Sequence, residues 1–249
     1  MFPGTIMSNS GVRSFFETHA HNYKMYPSFY TTIANKIKED VSEWTDLKLL
    51  DVGCGDGTFI KALIDVGVEA QFLATDFSFT SAAMARMNLW SSNTQIFVAD
   101  AFNIPINANL KFDIIHVAFL LHHLIGTTKA KSNALARKLI SRLIDMISEN
   151  GTLIIEEVYY NSYLLPNLTS SIIFYIMKLL SFVHFDSVHI TKDYKSGLRV
   201  NFFNESELEE MLCDYGSVHL LYRNPWQVPE LYRIFLLEDF GNIVYTLRR

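Results

Sequence analysis

The segment that most constrains this chain is Leu49-Leu50-Asp51-Val52-Gly53-Cys54-Gly55-Asp56-Gly57-Thr58-Phe59. A short apolar run passes directly into a Gly-x-Gly-x-Gly turn and then into a helical pattern. Glycine suits such a turn because a side chain at Gly53 or Gly55 would push a ligand away from the backbone. The helix start beyond it presents unpaired N–H groups, a good site for a carboxylate or phosphate.

The rest of the chain repeats the unit that this segment opens. Strands are expected near Leu47–Val52, Gln71–Thr75, Gln95–Ala99, Asp113–Ala118 and Thr152–Glu157, and helices near Thr58–Val66, Ser78–Leu89 and Ala130–Ser148. Strict alternation of this kind implies right-handed βαβ crossovers and a parallel sheet. Asn150-Gly151 reads as the turn that opens the fifth strand. Before the sheet, Phe15, Phe16, Tyr23, Tyr26, Phe29, Tyr30 and Ile33 recur at helical intervals. After it, Asn204 with Glu207 three residues on has the form of a capping box. Val218–Tyr222 and Ile243–Leu247 are two further strand candidates.

Composition narrows the partners. Net charge is −5 and no stretch is dense in Lys and Arg, so a nucleic-acid footprint is missing. Two cysteines, Cys54 and Cys213, cannot build a disulfide framework and fit a reducing compartment. Met1–Arg13 lacks a basic then apolar leader, so a cytoplasmic protein is expected. The apolar run Ile172–Met177, extended by Leu179 and Leu180, is too short to span a membrane.

Spacing separates the ligands that such a turn serves. A dinucleotide fingerprint needs its third glycine at position 58, where Thr58 stands; here it comes one residue early, at Gly57. The second strand ends in Asp76, whose carboxylate can accept both hydroxyls of an adenosine ribose, a feature common to NAD and S-adenosylmethionine sites.

From about Leu47 to Glu157 the sequence resembles the class I, Rossmann-like S-adenosylmethionine-dependent methyltransferases of the small-molecule type. Leu-Asp-Val-Gly-Cys-Gly-Asp-Gly looks like their first motif, and Asp76-Phe77 is similar to the second, where the acid holds the ribose and the apolar residue flanks the adenine. Asp100-Ala101-Phe102 follows the third strand as in the family, where the acid sits near the adenine amino group. Phe112–Phe119 with Leu121-His122-His123-Leu124 is like the fourth-strand region, and Glu149-Asn150-Gly151-Thr152-Leu153 looks like the family's Lys-Pro-Gly-Gly turn with three residues replaced. The resemblance implies an α/β fold: a seven-stranded, mostly parallel sheet flanked by helices, its last strand, Ile243–Leu247, antiparallel. It implies S-adenosylmethionine as cosubstrate, bound at Asp51, Gly53, Cys54, Gly55, Asp76, Phe77, Asp100, Ala101, Phe102 and Ala118. His21-Asn22-Tyr23 is similar to an N-terminal element whose tyrosine closes over the donor in many relatives, which adds Tyr23.

Individual residues carry bland readings beside these. Asp51 either orients the loop or touches the donor, and Cys54 needs only to be small. Cys213 reads as a buried helix face. His122–His123 follow the fourth strand at the ligand-binding edge, yet relatives of different chemistry carry histidines there, so no catalytic residue is assigned. His116 lies within a strand and reads as core. No His, Cys, Asp and Glu set has metal-ligand spacing, His19 and His21 being too few.

One domain over 1–249 is expected: an N-terminal helical cap (1–45), a donor-binding core (46–157), an insertion (158–200) and a C-terminal helix with strands (201–249). Val158–Phe185 carries Lys178 as its sole charge. A helix apolar nearly all round is expected to be buried on more than one side, as a lid over the acceptor or as a homodimer interface. The expected function is methyl transfer to a small, partly apolar molecule. The alternatives are an RNA or protein methyltransferase, and a non-catalytic methyltransferase-like assembly factor.

Overall fold

The computed structural model describes residues 10–20, 27–41, 44–180, 200–230 and 236–249. Seven strands form one sheet: β1 Lys48–Val52, β2 Gln71–Asp76, β3 Gln95–Val98, β4 Phe112–Ala118, β5 Ile147–Ser162, β6 Ser217–Pro225 and β7 Leu237–Arg248. Their order is β3-β2-β1-β4-β5-β7-β6. β1 to β5 run parallel and β7 antiparallel to both neighbours. Strand order reverses between β1 and β4, so the crevice for a ligand lies outside the C-terminal ends of these strands.

Among the described residues the helices are α1 Ser10–His19, α2 Pro27–Val41, α3 Thr58–Asp65, α4 Phe79–Asn88, α5 Lys129–Ile144, α6 Leu168–Leu180 and α7 Glu205–Cys213. Alternate strand residues feed two cores. Leu50, Val52, Ile115, Val117, Leu153 and Ile155 pack with α5 and α7, whereas Leu49, Ile114, Ile154 and Val244 pack with α2 and α3. Asn204 caps α7 as expected, its side chain accepting from the Glu207 amide at 2.8 Å. Among the described residues no helix is long and apolar enough to cross a membrane.

The C-terminal half corrects several expectations. β5 extends well beyond 152–157, because antiparallel β7 keeps supplying partners up to Ser162↔Leu237, past the last β4 pair, Ala118↔Glu156. Residues 158–162 are therefore strand and no part of an insertion. At its start α5 stops at Ile144, and the register shifts between Phe112↔Ile147 and Ile114↔Thr152. Asn150-Gly151 thus sits in an irregularity inside β5, not before it.

Helix α6 is not buried on more than one side. Its inward face carries Thr169, Ser170 and Phe174, and the bulky Tyr175, Ile176 and Leu179 are exposed. The rest of the expected insertion, 181–199, lies outside the described residues. Cys213 is exposed. Leu208, Met211 and Leu212 face the core, and Cys213 lies ~100° further round the helix.

Candidate active site

The turn after β1 is fixed by backbone geometry. Gly53, Gly55 and Gly57 all have positive φ, at 78°, 55° and 80°, a region costly for side-chain-bearing residues. The Gly53 and Cys54 amides both donate to the Thr75 carbonyl, at 2.7 and 3.0 Å, tying the turn to the end of β2. The two glycines then differ in surroundings. A Cβ on Gly53 would meet Leu120 Cδ1, the end of a flexible side chain, at 2.9 Å, and the φ of 78° would strain any side chain there. A Cβ on Gly55 would meet nothing within 4 Å. Gly55 is the position that faces open space.

Asp76 sits beside that space, 7% exposed. Its Oδ2 accepts from the Gly55 amide at 3.0 Å and its Oδ1 from the Ser78 amide at 2.8 Å. Burial pushes the carboxyl up to about 6 against the pull of those two hydrogen bonds. Each oxygen keeps a lone pair for a further donor, so a vicinal diol fits.

Phe77 is half-buried and meets Phe16 of α1, 6.1 Å between ring centres. Helix α1 is anchored there by Glu17, whose carboxylate accepts from the Phe79 and Thr80 amides at 2.9 and 3.1 Å and so caps α4. Across the edge, Asp100 is exposed and its Oδ1 accepts from the Phe102 amide at 2.8 Å; Ala101 and Phe102 pack half-buried against the core. Ala118, half-buried, ends β4. Gly53 to Gly55, Asp76-Phe77, Asp100 to Phe102 and Ala118 are thus gathered at the C-terminal ends of four adjacent strands. Tyr23, with His21 and Asn22, lies outside the described residues.

Cys54 is buried, and burial followed by the charges of Asp51 and Asp76 pushes its thiol well up, which suits no nucleophile. Asp51 lies one step inside the edge. Its Oδ1 is 2.8 Å from His116 Nδ1, with both side chains buried. Sequence reasoning took His116 as core and missed the partnership.

A second network fixes the loop after β4. Phe119 there adopts a left-handed φ of 50°, its amide donating to the Glu156 carbonyl at 2.9 Å. One 3-10 turn follows, Leu121–His123. Glu157, fully buried, holds it: Oε1 accepts from the Leu121 amide at 2.7 Å, and Oε2 lies 2.6 Å from His122 Nδ1. A carboxylate on Nδ1 fixes the ring and its tautomer and leaves Nε2 as the other nitrogen. Burial, with the neighbouring His122, pushes His123 well below the usual histidine range. Aromatic rings surround the turn: Phe16 lies 5.3 Å from His123, Phe202 lies 5.4 Å from His122, and Tyr160 lies 4.5 Å from Phe202 and 5.4 Å from Phe240. The signal for Glu157 was present in sequence, since Glu156-Glu157 closes an apolar strand and a buried carboxylate needs partners.

Residues 49–141 match a family model described as a methyltransferase domain. The malonyl-[acyl-carrier protein] O-methyltransferase of Acetivibrio thermocellus is 26% identical over 148 residues, 59% of this chain and 51% of that protein. That of Legionella pneumophila is 26% identical over 117 residues, 46% and 41% of the two chains. The chain spans about half the length of the curated relatives it matches. Among solved structures, magnesium protoporphyrin IX methyltransferase from Synechocystis with bound SAH superposes with a TM-score of 0.60 at 14% identity, covering 96% of this chain and 99% of that one. A DhpI–SAH complex gives 0.59 at 15% identity, covering 96% and 95%.

Proposed function

This chain belongs to the class I, S-adenosylmethionine-dependent methyltransferases, and from that premise we propose that it methylates a small, partly apolar acceptor. The observation that carries the donor side is the pairing of an open Gly55 with the buried Asp76 carboxylate beside it. Bound there, S-adenosylmethionine supplies an electrophilic methyl group on a sulfonium. Asp76 would take its ribose hydroxyls, Phe77 would flank its adenine, Asp100 would lie near the adenine amino group, and the Gly53–Gly55 turn would let it approach the backbone. A rigid edge that holds two reactants in line and keeps water away supplies much of the acceleration such a displacement needs. Where the acceptor has a proton to lose, His122, whose Nδ1 lies 2.6 Å from Glu157 Oε2, would be the candidate base.

The ring of Phe16, Tyr160, Phe202 and Phe240 supports an acceptor with an apolar part. The O-methyltransferase relatives favour an oxygen nucleophile. Residues 1–249 act as one cytoplasmic domain, with α6 serving as a lid over the acceptor. A homodimer through the exposed Tyr175, Ile176 and Leu179 is the competing role, and the mass in solution separates them. Calorimetry tests the core of the reading: S-adenosylmethionine binds, NAD does not, and Asp76→Ala weakens binding by about 1.5–3 kcal/mol. NAD binding with none for S-adenosylmethionine overturns it.

A further inference from the structure

Beneath the donor turn, on the sheet face covered by α2 and α3, lies a buried charged trio that no step above uses. Asp51 of β1, His116 of β4 and Glu156 of β5 are 1%, 1% and 0% exposed. Asp51 Oδ1 is 2.8 Å from His116 Nδ1, and His116 Nε2 is 3.8 Å from Glu156 Oε2, an ion-pair distance beyond hydrogen-bond reach. The imidazole is clamped: Phe59, the second residue of α3, stacks on it at 3.6 Å between ring centres, and Tyr30 of α2 meets it edge-on at 6.4 Å. Asp51 Oδ2, His116 Nε2 and both Glu156 carboxylate oxygens have no hydrogen-bond partner among the described residues.

Such a trio is a poor way to hold three strands together. Burying charges costs several kcal/mol per ion, and apolar residues of equal volume often stabilise as well or better. Its field, however, reaches the ligand edge. The charge of Asp51 pushes up both the Cys54 thiol inside the glycine turn and the Asp76 carboxyl beyond it, adding in each case to burial. The imidazole is the cation that balances that charge. Burial alone would lower its pKa, but the charge and hydrogen bond of Asp51, with Glu156, hold it up to about 9. The other groups around the trio are Tyr30, pushed well up by burial and by Glu156 and Asp51, and Glu156, pushed up by burial against the pull of His116. Asp56 adds its charge from the turn and Glu157 from the next residue of β5.

We propose that His116 is a positioning residue of the donor site, acting through Asp51: its imidazolium pins that carboxylate and sets the charge beneath the glycine turn, and with it the preference between a cationic sulfonium and its neutral thioether product. The proposal rests on the donor reading above. It makes S-adenosylmethionine and S-adenosylhomocysteine, alike except for the methyl group and its charge, respond differently to a change underneath them.

The test is calorimetry of both ligands on the full chain at pH 7.5. His116→Gln keeps a donor for Asp51 but removes the cation, so the affinity ratio moves toward S-adenosylmethionine on the order of fourfold, the effect of one charge at ~10 Å and an effective dielectric of ~40. Asp51→Asn moves the ratio the other way. A purely structural role lowers both affinities together and leaves the ratio alone, and that result overturns the proposal while the donor reading stands. Wild-type protein that binds neither ligand overturns both. Should His116→Gln fail to fold, the wild type answers alone: its ratio drifts toward S-adenosylmethionine as pH rises through about 9 and the imidazolium loses its proton, and a flat ratio sinks the idea.

Discussion

The two ends of the ligand edge are built on different principles. At the donor end, β1, β2 and β3 place Gly53, Gly55, Asp76 and Asp100 by backbone geometry: positive φ angles, amides donating to Thr75, and amides that Asp76 accepts. At the acceptor end, position depends on side chains distant in sequence. Glu157 reaches back 36 residues to the Leu121 amide, the Asn201 amide donates to the His122 carbonyl, and Lys129 donates to the Phe202 carbonyl at 2.9 Å and pairs with Glu207 at 3.1 Å. A conserved-volume turn can be built from consecutive residues, whereas a shaped pocket is an agreement among separate segments. On the function proposed above, the donor end would bind one invariable ligand part, and the acceptor end would be free to vary.

The largest expected effect breaks the donor end alone. Gly55→Val puts a β-branched residue at φ 55° into the space beside Asp76. Strain of ~1–2 kcal/mol lowers the melting temperature by roughly 2–8 °C. Binding of S-adenosylmethionine falls roughly a hundredfold or more, ~2.7 kcal/mol. A thermal melt and a titration on one sample read both. Normal binding by a folded variant means the ligand does not lie against Gly55.

Glu157→Ala is the converse. It strands the Leu121 amide and unseats His122 inside a fully buried site, so stability falls by roughly 2–4 kcal/mol in chemical denaturation. Donor affinity, measured well below the melting temperature, stays within about threefold of wild type. A parallel loss of donor binding would mean that the two ends are one unit and that the contrast drawn above is wrong.

That contrast also explains what the sequence made legible. The glycine turn, Asp76 at the end of β2 and the Asn204 cap are local demands, each met within a few residues, and all were readable. The His116–Asp51 pair spans 65 residues and the His122–Glu157 pair 35. No periodicity records which strand lies beside which, although two acids closing an apolar strand signalled that partners existed. The errors have equally physical causes. Cys213 was misphased by one position on α7, and α6 was judged by its composition although it packs through Thr169, Ser170 and Phe174. β5 was cut short because its partner beyond Glu156 is β7, some 80 residues later in the chain.

The smallest effect expected is a titration confined to the donor end. Burial holds the Asp76 carboxyl at about 6 in the ligand-free chain, above the ~3.9 of an exposed aspartate. Ribose hydroxyls donate to the ionised form, so binding requires that form and releases a proton when it starts from the neutral one. Above pH 6 the carboxylate is already ionised and affinity is flat. As pH falls through 6, each unit weakens binding toward a tenfold limit, so between pH 7 and pH 5 the donor loses on the order of tenfold, ~1.4 kcal/mol. The same shift acts on stability in a definite direction. Between about pH 4 and 6 the folded chain holds a proton that the unfolded chain has released, so Asp76 contributes stability at low pH that fades as pH rises through 6. Folding and donor binding thus respond to this one group with opposite signs. Calorimetry in buffers of different ionisation enthalpy counts the proton directly, and Asp76→Asn removes both the pH slope and the released proton. A slope that survives in Asp76→Asn would assign the titration to a group other than Asp76 and would sink the ribose contact as its cause.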